Sequence, residues 1–270
     1  MTARADIGII GGSGFYSLLS DATSITVRTP WGEPSGNLTL GELAGRRVAF
    51  VPRHGVDHRF PPHRVPYRAN LWALRSLGVR QVLAASAVGS LRVGLGPGEL
   101  VLPDQIIDRT SGRPFTYNDT DAGVAHVSFA DPYCPTGRAA VQRAATGSGT
   151  RITAEASLVV INGPRFSTRA ESLEYQRGDA TIIGMTGMPE AVLARELALC
   201  FTCLCLVTDH DAGVDVGRGV THAEVFATFA ANLPQLRELV IATVVQLPAE
   251  QGECECGAVY RDMRPPFELP

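Results

Sequence analysis

Short apolar runs punctuate the chain, and each stops at a glycine-rich or polar segment. Residues 7–10 form the first run and end at Gly11-Gly12-Ser13-Gly14, which reads as a strand entering a glycine loop. Further strands are predicted at 38–40, 47–52, 82–85, 159–161, 181–183 and 201–207, and short apolar segments at 100–102 and 105–107 flank Pro103. The run at 82–85 is read as passing into a small-residue loop at 86–90. Helical spacing places Leu71, Leu74 and Leu77 on one face of residues 70–77, which stop at Gly78. Other helices are predicted at 171–177, at 189–199 with proline in the first turn, and at 223–247, where a long amphipathic pattern runs. Strands alternate with helices, which predicts an α/β fold. Ligands in such folds sit beyond the carboxyl ends of strands, so the polar clusters that follow the strands carry the candidate chemistry.

Composition narrows this picture. No linker or charge run divides the 270 residues, so one domain over 1–270 is expected, with a catalytic core at about 7–247 and a C-terminal tail at 248–270. With 45% hydrophobic and 19% charged residues the chain can bury a sizeable core. The formal net charge is −3 and there is no basic block, which argues against a nucleic-acid partner; a bound phosphate would be held by local cations and backbone amides. The most apolar stretch, 197–207, is too short to cross a bilayer, and the N-terminus lacks the features of a secretion signal, so a soluble, cytoplasmic protein is expected. Of six cysteines, Cys200, Cys203 and Cys205 lie in the buried apolar stretch as small hydrophobes. Cys254 and Cys256 form a Cys-x-Cys that reads as an exposed tail. A metal site usually wants two such pairs or nearby histidines, so no metal site is expected.

Several post-strand clusters can bind an anion or a planar base. The Gly11–Gly14 loop can aim backbone N–H groups and the Ser13 hydroxyl at an anion, although a tight turn explains it equally well. Arg53 supplies a permanent forked cation, and His54 can add a donor. Ser86 and Ala87 offer a hydroxyl and backbone amides. Phe166, after Gly163-Pro164-Arg165, can stack on a base or simply fill the core. In Gly184-Met185-Thr186-Gly187-Met188-Pro189-Glu190 the Thr186 hydroxyl can meet phosphate and Met185 can pack under a sugar, while Glu190 reads as a first-turn carboxylate favoured by the helix dipole. Asp209 and Asp211, one residue apart after a buried strand, can accept from an amino group and from a protonated ring nitrogen, or sit in a surface turn.

These segments occur in an order that resembles the trimeric purine nucleoside phosphorylase superfamily, and within it the methylthioadenosine phosphorylases. The strings IGIIGGSGFY, PRHG, YRANLWALRSLGV, DQIIDRTSGRP, DPYCP, GPRFSTRAES and MTGMPEAVLARE carry the resemblance over residues 7 to about 231. It implies a central mixed, twisted β-sheet flanked by helices, a homotrimer, and a pentosyltransferase that uses inorganic phosphate as co-substrate without a cofactor. It also implies roles: Ser13, Arg53, His54, Ser86, Ala87 and Thr186 for phosphate, Met185 under the ribose, Phe166 on the base, Asp209 and Asp211 reading a 6-aminopurine with Asp209 as general acid, and His126 lent to a neighbouring subunit's 5′ pocket.

Two further positions bear on the substrate. The branch that takes 6-oxopurines typically has Glu at Ser167 and Asn at Asp209, so Ser167 with Asp209 favours adenine; the MTGMPEA string is similar to enzymes that prefer methylthioinosine. His222 stands where methylthioadenosine enzymes usually place a small apolar residue, which admits adenosine or another 5′-modified adenosine as an alternative substrate, unless the ring points away.

Overall fold

The computed structural model describes residues 4–214, 219–252 and 254–270, apart from the side chains of Ser13, Tyr16 and Ser17. Among these residues eleven strands join in one mixed sheet. They are β1 (Ile7–Gly11), β2 (Ser20–Ile25), β3 (Leu38–Leu43), β4 (Arg46–Pro52), β5 (Gln81–Ser90), β6 (Leu100–Val101), β7 (Gln105–Arg109), β8 (Ile152–Thr153), β9 (Ser157–Ile161), β10 (Ile182–Gly184) and β11 (Cys200–His210). Among the described residues five α-helices flank it: α1 (Tyr67–Ser76), α2 (Pro135–Ser148), α3 (Arg169–Arg177), α4 (Gly187–Glu196) and α5 (His222–Gln246).

Alternation along the central strands explains the two-sided burial. On β5, Val82 and Ala84 join one core with Leu71 and Leu74 of α1 and Leu193 of α4. Leu83 and Ala85 face the other, with Val141 of α2 and Leu236 and Val240 of α5. β11 divides the same way, Cys203, Cys205 and Val207 against Leu204 and Leu206. A strand covered on both faces reads as one continuous apolar run, as residues 201–207 do.

The sheet forks at β5, and the fork positions the site. β11 pairs in parallel with β5 from Gln81 to Ser90 and takes one edge. On the other edge β1 pairs only through Ala84, and β10 joins antiparallel only at Gly89 and Ser90. Residues 85–88 therefore have no strand partner on that edge among the described residues. This is a switch point of the sort at which α/β sheets take up ligands.

Several elements differ from the sequence reading. Residues 86–90 are strand, because β11 pairs along their whole length and their small side chains fit between layers. β11 likewise continues to His210, past a bulge at Thr208. β2 and α2 carry weak local signals, and pairing with β3 and packing on α5 and β11 establish them. Pro189 is the third residue of α4, which starts at Gly187 after Thr186. The cysteines of the Cys-x-Cys are not exposed: Cys256 is buried against Cys134 and Cys200 and Cys254 is half-buried, and farther on Phe267 packs at 5.6 Å from Tyr117 and 6.0 Å from Trp72. Its apolar residues are too sparse to form a periodic pattern, but they complete the core. No described helix is long and apolar enough to cross a membrane.

Candidate active site

The open edge of β5 is flanked by a guanidinium held at full charge. Arg53 follows β4, and its backbone N–H donates to the Gly11 carbonyl, which ties it to the glycine loop at the end of β1. Its Nε and Nη2 donate to the two Glu190 oxygens at 2.6 and 3.0 Å, and Nη1 donates to the Ala85 carbonyl at 2.7 Å. Burial opposes this charge, but the attraction and hydrogen bonding of Glu190 outweigh it and hold Arg53 above its ordinary pKa. A guanidinium has five N–H donors, so two remain for a ligand. Glu190 does lie in the first turn of α4, but its role is to fix this fork.

Around Arg53 stand groups able to complete an anion site. Thr186 occupies the N-cap position of α4, yet its hydroxyl makes no cap bond and lies 3.5 Å from the Ser86 hydroxyl. The two hydroxyls thus face one region beside the start of α4. Ala87 is exposed in an otherwise buried stretch of β5. His54 Nδ1 lies 2.8 Å from the Phe60 carbonyl and must carry the proton there. Burial, then Arg53, lowers its pKa to about 4, so the free imidazole is neutral and offers Nε2 as an acceptor, not the extra donor expected from sequence. The Ser13 side chain lies outside the described residues.

Farther along β5, two carboxylates gather at Gly89. A Cβ there would stand 2.9 Å from Asp209 Oδ1 and 3.5 Å from Asp211 Cβ, so only glycine leaves them room. The bulge at Thr208 turns Asp209 into this space, and the Thr208 hydroxyl lies 2.8 Å from Asp209 Oδ2. Burial raises the Asp209 pKa to about 6; the Thr208 bond opposes the rise and the Asp211 charge adds to it. Burial also raises Asp211, and the nearby Ser167 and Ser172 hydroxyls offset part of that. Asp211 Oδ2 and Ser167 Oγ are buried without a hydrogen bond among the described residues. Unmade bonds of this kind are costly unless a ligand completes them.

The rest of the chain fits the same arrangement. A model of the "Phosphorylase superfamily" matches residues 6–245. The chain belongs to this phosphorylase superfamily. Among its relatives, a purine nucleoside phosphorylase of Streptomyces coelicolor is 56% identical and covers 99% of this chain and 98% of its own. An S-methyl-5′-thioadenosine phosphorylase of Mycolicibacterium smegmatis is 53% identical over 98% of this chain and 99% of its own. A solved methylthioadenosine phosphorylase from Schistosoma mansoni, in complex with adenine, superposes with a TM-score of 0.87 at 36% identity over 92% of this chain and 93% of its own.

As in any phosphorylase, an anion and an organic substrate must meet, and the remaining residues lie between or beside the two clusters. Met185 is half-buried and packs on Gly163, whose φ of +59° suits glycine and where a Cβ would come within 2.5 Å of the Met185 sulfur. Phe166 is half-buried, with no aromatic partner among the described residues. Arg113 holds this region: its guanidinium donates to the carbonyls of Met185 at 2.9 Å and Asn162 at 2.7 Å, and also to Met188 and Ile161. Sequence reasoning missed this positioning residue because it acts on backbone carbonyls distant in the chain. The His54 ring stacks on His58 at 4.1 Å, His58 meets Phe226 at 6.2 Å, and Phe226 meets His222 at 4.3 Å. His222, at the start of α5, is thereby linked by a row of rings to the anion site, and it remains exposed. His126 is also exposed; no described hydrogen bond, ion pair or ring contact joins it to these residues.

Proposed function

We propose that this protein, a pentosyltransferase of the purine nucleoside phosphorylase type, splits S-methyl-5′-thioadenosine with inorganic phosphate into adenine and 5-methylthio-α-D-ribose 1-phosphate. The observation that carries the reading is the unpartnered edge of β5, with a fixed cation at one end and two perturbed carboxylates at the other. Ser86 and Gly89 are separated by about 10 Å of extended chain, which is room for a ribosyl group between a phosphate and a purine.

The chemistry follows from that layout. Phosphate held by Arg53, Ser86, Thr186 and the amides near Ala87 lies beneath C1′. Ser13 and the His54 ring border the same anion. As the C1′–N9 bond stretches, the ribosyl group gains positive charge, which the phosphate oxygens stabilise before they bond to C1′. Adenine leaves with the electron pair of the broken bond, and protonated Asp209 donates to N7. Asp211 accepts from the exocyclic amino group, and Ser167 lies close enough to contribute to that reading. Phe166 stacks on the base and Met185 packs under the ribose. The reaction needs no organic cofactor.

A second reading keeps the same chemistry and changes the 5′ group or the base. The imidazole of His222 favours it, because a 5′-hydroxyl gains a partner there and a methylthio group does not. With a changed 5′ group the substrate is adenosine or another 5′-modified adenosine such as a 5′-halo compound; with a changed base, on which His222 does not bear, it is methylthioinosine. We also infer a cytoplasmic homotrimer in which His126 completes a neighbouring subunit's 5′ pocket; its exposure on one chain agrees with that. Comparing kcat/KM with phosphate for methylthioadenosine, methylthioinosine, adenosine, inosine and a 5′-halo-adenosine tests the reading. Methylthioadenosine should lead; leadership by inosine would overturn the adenine assignment.

A further inference from the structure

Four cysteine side chains converge where the C-terminal tail returns to the body, away from the site above. Cys134 precedes α2, Cys200 opens β11, and Cys254 and Cys256 belong to the tail. Their sulfurs all lie within 4.8 Å of one another, with Cys200 and Cys254 at 3.3 Å. All four are free thiols; Cys254 is half-buried and the others are buried.

This spacing is that of one shared ligand set. With zinc–sulfur bonds of about 2.3 Å, a tetrahedral site puts its sulfurs about 3.8 Å apart along every edge. Four thiols packed together gain little from one another, since S–H is a weak donor and sulfur a weak acceptor. A backbone N–H beside them, a stronger donor than S–H, is aimed at sulfur. The Gly137 N–H, in the first turn of α2, donates to Cys134 Sγ at 3.4 Å; Gln251 Nε2 lies 3.6 Å from Cys200 Sγ but donates to the Ala198 carbonyl at 2.7 Å. N–H groups in such positions stabilise and orient metal-bound ligands, and the α2 dipole favours a thiolate at its N-terminus. A closed, all-sulfur set suits zinc in a structural role, with no position left open for a reaction.

We propose that Cys134, Cys200, Cys254 and Cys256 bind one zinc ion, which fastens the C-terminal tail to the starts of β11 and α2. The four ligands come from three separate stretches of chain, so the metal acts as a cross-link, and binding releases thiol protons to solvent. The Cys-x-Cys thus finds its partners across the fold, from single cysteines more than fifty residues upstream.

The test measures metal and thiols in the full-length protein purified under reducing conditions without chelator. About one zinc per chain is expected, and exchange for Co2+ should give the sulfur-to-cobalt charge-transfer and strong visible bands of a tetrahedral thiolate site. Cys256→Ser should lose those bands, and Cys203→Ser, outside the cluster, should keep them. Absence of zinc together with failure of the reduced wild-type protein to bind Co2+ would overturn the proposal. A metal-free protein with only two of its six cysteines reactive after denaturation would do the same, because the four would then be paired as disulfides.

Discussion

Glu190→Gln tests how the anion site is held. The substitution keeps side-chain volume and removes one charge from a pair whose side chains are only 4% and 1% exposed. Breaking a buried pair typically costs about 3–5 kcal/mol, because the remaining charge loses its compensation. Glutamine still offers one acceptor to the Arg53 fork, so the loss should fall near the lower figure, about 3 kcal/mol against a typical total stability of about 5–15 kcal/mol. Phosphate stabilises each form according to its own affinity, by about 2.7 kcal/mol at a hundredfold excess over Kd, so a variant that binds it more weakly gains less than the wild type at the same phosphate concentration. The fork also loses its alignment. If that weakens phosphate contacts by about 1.4 kcal/mol, KM for phosphate rises about tenfold. Urea unfolding with and without phosphate, together with phosphate kinetics, reads both effects. A wild-type midpoint combined with a wild-type KM would refute the reasoning. Lost stability with unchanged KM would remove the positioning role and leave a structural one.

Further substitutions probe the base and the 5′ group. Asp209→Asn should lower turnover of adenine nucleosides by a large factor. Its pH dependence carries the sign of the perturbed pKa: Asp209 is raised from 3.8 to about 6, so the proton-donating form is present below that value and lost above it. The ratio of wild-type to Asp209→Asn kcat/KM should therefore fall as pH climbs from 6 to 8, with phosphate ionisation cancelling between the two; a flat ratio contradicts the general-acid role. His222→Val should shift selectivity toward methylthioadenosine over adenosine, and an unchanged ratio of kcat/KM for the two would remove His222 from the pocket.

The alternation of strands and helices was legible because the central strands are buried on both faces and the helices on one. Arg53, Thr186 and Asp209 were legible as polar residues directly after apolar runs. What escaped depends on distant partners. Residues 86–90 resemble a loop until β11 lies beside them. Glu190 looks like an ordinary first-turn acid until Arg53, 137 positions away, meets it. The Cys-x-Cys looks solitary because its companions, Cys134 and Cys200, are themselves isolated in the chain.

The central claim is phosphorolysis, and the most direct measurement is adenine release from methylthioadenosine before and after phosphate is removed by dialysis. Release should cease without phosphate and return on its addition, with one 5-methylthioribose 1-phosphate formed per adenine. Undiminished release in phosphate-free buffer, with free methylthioribose as the product, would contradict the account and make the protein a hydrolase.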